Sequence, residues 1–157
     1  MNNKSSIKLN LTDPERSLLR ANKIRKSDLI DYAPDEIEVL LQVSPDRARE
    51  LFALVDFQRI PTVGIRFAED LIFLGYFSVE ELKGKNGAIL LDTYEKKKKY
   101  RTDPCVEDQF RLVAYFANSG DYSKKWWDFT AERKAYRIKN GYPKDRPEIN
   151  WTEIYYG

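Results

Sequence analysis

Two short runs carry the chemistry this chain could direct at an anion: Thr62, Val63, Gly64, Ile65 and Arg66, and then Lys96, Lys97, Lys98, Lys99 and Arg101. In the first, Pro61 and Gly64 break one helix and Phe67, Ala68, Leu71 and Ile72 start the next. The opening amides of that second helix have no intrahelical acceptor and sit at the positive end of its dipole, a setting that suits a phosphate oxygen. Arg66 adds a charge. The second run, followed by Tyr100, reads either as a phosphate-tracking patch with an aromatic for base stacking or as a solvated helix end whose lysines offset the negative dipole terminus.

Other chemistry is thinly represented. There is no histidine and Cys105 is the single cysteine, which excludes histidine triads, Cys/His zinc sites and disulfides within the chain. Cys105 follows Asp103-Pro104 in a first helical turn, where a dipole lowers a thiol pKa; the apolar helix around it favours a buried structural role instead. The pairs Glu69-Asp70, Glu80-Glu81 and Glu107-Asp108 are nuclease-like at first sight, yet neighbours on a helix point about 100° apart and offer one metal ligand each at best. No catalytic residue, metal or cofactor is expected, and the chain reads as non-enzymatic.

Helices must position these residues. Thr12-Asp13-Pro14, Ser27, Pro34, Ser44-Pro45, the Ser78 to Glu81 capping box and Asp103-Pro104 each read as a helix start. Ala48, Leu51, Phe52 and Val55 follow the i, i+3, i+4, i+7 spacing of a buried stripe, and Gly75 and Gly141 suit helix ends. Val106, Phe110, Val113, Ala114 and Ala117 share a face of the longest apolar helix, while Leu112, Tyr115 and Phe116 make part of its other face apolar, the pattern of a central core element. Thr130 reads as the cap of a further helix, and Pro143 and Pro147 suggest an extended tail. No strand-period alternation of useful length stands out. No run approaches a membrane span or a signal peptide, so a cytoplasmic protein is expected.

Charge divides the chain more than its net +2 suggests: residues 1–26 hold 7 basic and 2 acidic side chains, 27–92 hold 6 and 13, and 93–157 hold 14 and 10. A polyanion is drawn to the ends and repelled, on average, by the middle. Trp126, Trp127, Phe129, Tyr136, Tyr142, Trp151, Tyr155 and Tyr156 are interleaved with lysine and arginine, as either a stacking or partner-binding surface or an anchor for a terminal segment.

The run Ile60-Pro61-Thr62-Val63-Gly64 resembles the hairpin of the helix-hairpin-helix motif, which has the form hydrophobic, any, glycine, hydrophobic, glycine. With AEDL, LG, SVEEL, DPCV, VAYFAN and KWW downstream, the segment from about Ser27 to Phe129 resembles the bacterial pathogenicity-locus helix-hairpin-helix family and, more distantly, the C-terminal domains of TfoX-type competence regulators. The resemblance implies an all-α, tandem helix-hairpin-helix (SAM-like) domain, with the Val43-Ser44-Pro45 turn as a pseudo-repeat of the hairpin. It implies contact with a DNA backbone, without sequence specificity, through Val63, Gly64, Ile65 and Arg66. Thr62 stands where the motif usually has its first glycine, a departure that works against close phosphate approach. The expected organisation is a basic helical arm (1–26), the hairpin domain (27–118) and an aromatic, basic C-terminal extension packed on it (119–157). The alternative to DNA is a protein partner bound by the helical scaffold and the aromatic segment.

Overall fold

The computed structural model describes residues 7–156, so the first part of the expected basic arm, Lys4 included, lies outside the described residues. Among those residues the chain is all-helical: α1 (Asp13–Ala21), α2 (Pro34–Leu41), α3 (Pro45–Phe57), α4 (Ile65–Phe73), α5 (Gly87–Lys98), α6 (Cys105–Ser119), α7 (Thr130–Asn140) and α8 (Trp151–Tyr156). Short 3-10 helices cover Lys26–Asp31, Glu80–Leu82 and Trp126–Phe129. No strand forms among the described residues, and one isolated parallel bridge joins Arg101 to Asn150. No helix is long and apolar enough to cross a membrane.

Packing divides the chain into two compact units, Met1–Glu81 and Leu82–Gly157. Composition had pointed to breaks after residues 26 and 118 instead. Composition follows the solvated charges, whereas the division follows which apolar faces cover one another.

In the first unit, local signals set the helix ends. Thr12 accepts from the Glu15 amide and Glu15 returns a bond to the Thr12 amide, a closed capping box, and Ser44 accepts from Arg47. Ser27, expected to cap, is buried inside the 3-10 helix; Asp28 instead accepts from the Arg25 amide, one turn earlier. The core is built from Leu29, Ile37, Leu41, Leu51, Leu54, Phe57 and Leu71, all 2% exposed or less. Ahead of α1, Ile7, Leu9 and Leu11 are buried while Lys8, Asn10 and Thr12 face solvent, so this segment is extended and covers the core with every second side chain. Glu15 and Arg47 hold it in place. The guanidinium donates to both Glu15 oxygens at 2.9 and 2.8 Å and to the Asn10 carbonyl at 2.9 Å. Its hydrogen bond keeps the Glu15 carboxyl below the usual carboxylate range although burial opposes this.

The second unit is organised around buried charge. α6 carries Phe110, Leu112, Val113 and Phe116 into the core as the apolar pattern implies, but the same helix also buries Glu107 and Asp108 completely. Glu107 accepts from Arg111 at 3.0 Å and from Arg137 at 2.8 Å. Asp108 accepts from Arg133 at 2.6 Å and from the Thr130 hydroxyl at 2.8 Å, so Thr130 spends its oxygen on a core carboxylate rather than capping α7. Glu95 of α5, also buried, accepts from Arg146 at 2.8 Å and from the Thr102 amide at 2.8 Å. Arginines of the C-terminal segment thus answer carboxylates of α5 and α6, and arginine faces add to the anchoring: Arg146 lies 3.5 Å and Arg137 4.1 Å from the Tyr142 ring centroid. Burial raises Asp92 above the usual carboxylate range despite its bond to Arg137 at 2.9 Å. The tail after Pro147 is not wholly extended as expected: Asn150 accepts from the Thr152 amide and Glu153 from the Asn150 amide, which closes the short helix α8. Where α5 crosses α6, a Cβ on Gly87 would lie 2.6 Å from the Arg111 Cα, so only glycine permits that approach.

Candidate nucleic-acid interface

The hairpin between α3 and α4 is built by short-range bonds. After Phe57 the chain turns with the Ile60 amide on the Phe57 carbonyl and the Val63 amide on the Ile60 carbonyl, both at 3.1 Å, and Ile60 and Val63 are buried. Thr62 between them adopts φ +64°, the left-handed conformation a glycine would supply, with its side chain exposed and its hydroxyl on the Pro61 carbonyl at 2.6 Å. The branched side chain therefore does not prevent the turn; it occupies a conformation that costs a β-branched residue roughly 1–2 kcal/mol. Gly64 then serves as N-cap of α4 with extended backbone, and the Ala68 amide makes the first helical bond back to its carbonyl.

Two properties of that cap bear on function. Thr12, Ser44 and Asn86 satisfy first-turn amides with side-chain oxygens, whereas Gly64 has none to offer, and the Ile65 and Arg66 amides receive no side-chain cap. The φ of −97° at Gly64 is open to any residue, and a Cβ there would meet nothing within 4 Å. Nothing in the fold demands glycine at this place.

The turn forms the wall of a surface groove of about 530 Å³ lined by Gln58, the Ile60 to Arg66 segment and Lys8. Lys8 comes from the extended N-terminal segment, and its place is set by Gln58, whose buried amide accepts from the Lys8 amide at 3.0 Å and donates to the Lys8 carbonyl at 2.7 Å. Lys8 and Arg66 are both exposed. Lys8 was missed by motif reading, although the alternation Ile7-Lys8-Leu9-Asn10-Leu11 was there to find it.

The Cdd1 pathogenicity-locus family matches residues 50–135, more than half of the chain and inclusive of the hairpin. The chain belongs to the pathogenicity-locus family. No curated protein and no solved structure matches it. The pathogenicity-locus match also takes in the lysine run and the buried Glu95, Glu107, Asp108 and Arg133, while Lys8, Arg137 and Arg146 lie outside it.

The lysine run belongs to the second unit and the hairpin to the first. Lys96 to Lys98 form the last turn of α5, and Lys99 is its left-handed C-cap at φ +68°, so these charges complement the negative helix terminus. Lys96 pairs with Asp145 at 2.5 Å and Lys98 lies 5.7 Å from the Tyr94 ring centroid. Arg101 is held by the tail: its amide donates to the Ile149 carbonyl at 2.7 Å, its carbonyl accepts from Trp151 at 2.6 Å, and its guanidinium donates to the Pro147 carbonyl at 2.6 Å.

The remaining candidates resolve in different ways. Cys105, expected to be buried, is exposed; burial of part of its thiol and the neighbouring Asp103 push its pKa up, away from a reactive thiolate. No group of carboxylates or thiols among the described residues is arranged to hold a metal ion. Phe129 is buried against Tyr115 with ring centroids 5.5 Å apart, the anchoring role, while Trp127 beside it is half-exposed.

Proposed function

We propose that the hairpin holds a DNA backbone without reading sequence, through the Ile65 and Arg66 amides with Arg66 and Lys8 as flanking cations. The observation that carries this reading is Gly64: an uncapped helix start at the wall of a groove, at a position where the fold would accept a side chain that caps it. A glycine there leaves the amides open to a ligand oxygen. The tandem helix-hairpin-helix arrangement is supported by a recurring turn. Gln42-Val43-Ser44 repeats the sequence of left-handed residue, valine and N-cap found in Thr62-Val63-Gly64, with φ +52° and +64° at the first position. The first copy is capped by Ser44 and the second is not.

The grip is small. Two cations neutralise on the order of two phosphates, so log K against log salt should fall with a slope near −2. The acidic balance of the surrounding chain limits the affinity further: residues 27–81 hold 4 basic and 12 acidic side chains. Anisotropy of a labelled duplex tests the reading, with Lys8→Ala and Arg66→Ala each expected to reduce the slope by about 1. A slope that neither substitution alters contradicts it.

A second reading, a protein adaptor, is favoured by one observation. Ile149, Ile154, Tyr155 and Tyr156 are 49–79% exposed on the C-terminal segment, an aliphatic and aromatic patch that its arginine anchoring leaves uncovered within its own unit.

A further inference from the structure

A second groove, of about 400 Å³, opens among N-terminal residues of the first unit and shares no lining residue with the hairpin groove. Its floor is aliphatic: Leu11 and Leu19, both buried, and Ile24, half-buried. The Lys23 turn fixes Ile24 there, with φ +55° at Lys23 and the Ile24 amide on the Leu19 carbonyl at 2.9 Å. Its rim is cationic, formed by Arg16, Arg20, Arg25 and Lys26. Arg16 and Arg25 share charge with Asp13 and Asp28 at 3.2 and 3.3 Å in exposed pairs of small worth. Among the described residues no ion pair engages Arg20 or Lys26, and both are exposed.

We infer that this groove docks an acidic peptide segment of a partner protein, one that places an aliphatic side chain on the floor between carboxylates that meet the rim. Each half of the site selects for this occupant. The rim requires negative charge, and the floor requires an apolar group in contact with it, which a sugar-phosphate backbone cannot present. The positive charge is also concentrated: four of the seven basic side chains of residues 1–26 line this one groove, whereas residues 27–81 carry 4 basic and 12 acidic side chains. With screening over about 8 Å at physiological salt, the attraction acts on a ligand no larger than the groove itself. A short acidic segment matches that extent. Its anchor is an aliphatic residue seated among Leu11, Leu19 and Ile24, and its specificity comes from carboxylates at Arg20 and Lys26.

The test uses the full chain and a fluorescently labelled peptide of Glu-Glu-Leu-Leu repeats, with a Glu-Glu-Ser-Ser peptide of equal charge beside it. The leucine peptide should bind about tenfold or more tightly than the serine peptide, a difference of at least about 1.4 kcal/mol. Arg20→Glu with Lys26→Glu, and separately Ile24→Asp, should each weaken it by about tenfold, and unchanged melting of the first variant shows that the fold persists. Gly64→Asp should leave peptide binding intact, which separates this site from the hairpin reading. Equal binding of the two peptides, no binding of either, or a double variant that keeps the peptide but loses duplex DNA or self-association would each overturn the inference.

Discussion

The two units spend charge in opposite ways. The first holds 11 basic and 14 acidic residues, yet its surface grooves are where cations and main-chain donors are left available, at Lys8, Arg66 and the uncapped start of α4. The second holds 16 basic and 11 acidic residues and looks like the natural partner of a polyanion, yet Arg111, Arg133, Arg137 and Arg146 turn inward onto buried carboxylates, and Arg101 onto the tail backbone. Formal charge is therefore a poor guide to which unit meets an anion. What counts is whether each cation has a carboxylate within reach, and that is decided by packing.

The largest effects should come from breaking the buried network of the second unit. Glu107→Ala leaves Arg111 and Arg137 without their common acceptor in a desolvated site, and the expected loss is about 3–5 kcal/mol, read by denaturant melting. The cost should fall on the second unit: hydrogen exchange should accelerate in α5, α6 and α7 and remain slow in α3. Exchange that accelerates equally in both units would erase the distinction drawn here.

A smaller loss, about 1–3 kcal/mol, is expected for Gly87→Ala, because the new methyl must push α5 away from the Arg111 backbone rather than from a flexible side-chain end. The matched control is Gly64→Ala, where space is open and the only loss should be the poorer N-cap that alanine makes, about 0.5 kcal/mol. Similar losses for the two glycines would show that the α5 and α6 contact is looser than its geometry implies.

The Glu15–Arg47 pair of the first unit gives a pH signature. Glu15 has a folded pKa depressed chiefly by its hydrogen bond to Arg47, so the pair contributes stability that is full above the ordinary glutamate value of about 4.3 and is lost as the pH falls through the folded value. Asp92 in the second unit has the opposite sign: burial raises its folded pKa, so its ionisation opposes folding at neutral pH and that penalty disappears on acidification. Acid melting should therefore loosen the N-terminal segment and α1 first, and Arg47→Gln should flatten that part of the profile. Acid loss confined to the second unit would contradict this.

Much of the scaffold was legible from spacing and caps. Thr12, Ser44 and Gly75 act as their types imply, and the α3, α4 and α6 stripes pack where periodicity puts them. The buried carboxylates were not legible, because Glu107 and Asp108 look like any solvated pair until Arg133 and Arg137, 25 and 30 residues away from their partners, are brought to them. The same holds for Lys8, whose place depends on Gln58, 50 positions away. Between α3 and α4 the break in the helical pattern identified the turn, and Thr62 adopts there the left-handed conformation that a glycine would supply. Thr62→Gly should consequently stabilise the chain slightly, by about 0.5 kcal/mol, as relief of strain exceeds the entropy lost with the side chain. Destabilisation would mean that the Thr62 hydroxyl matters more than its backbone.

The central claim, that Gly64 is kept bare so that α4 can present its first amides to a phosphate, is tested most directly by Gly64→Asp with melting and duplex binding measured on the same sample. A carboxylate at an N-cap with extended backbone should satisfy those amides and favour the dipole, raising stability by about 0.5–1 kcal/mol, while placing negative charge in the groove and abolishing the salt-dependent affinity for DNA. A protein that melts higher and no longer binds is the predicted result; one that binds DNA as the unmodified chain does would contradict the account.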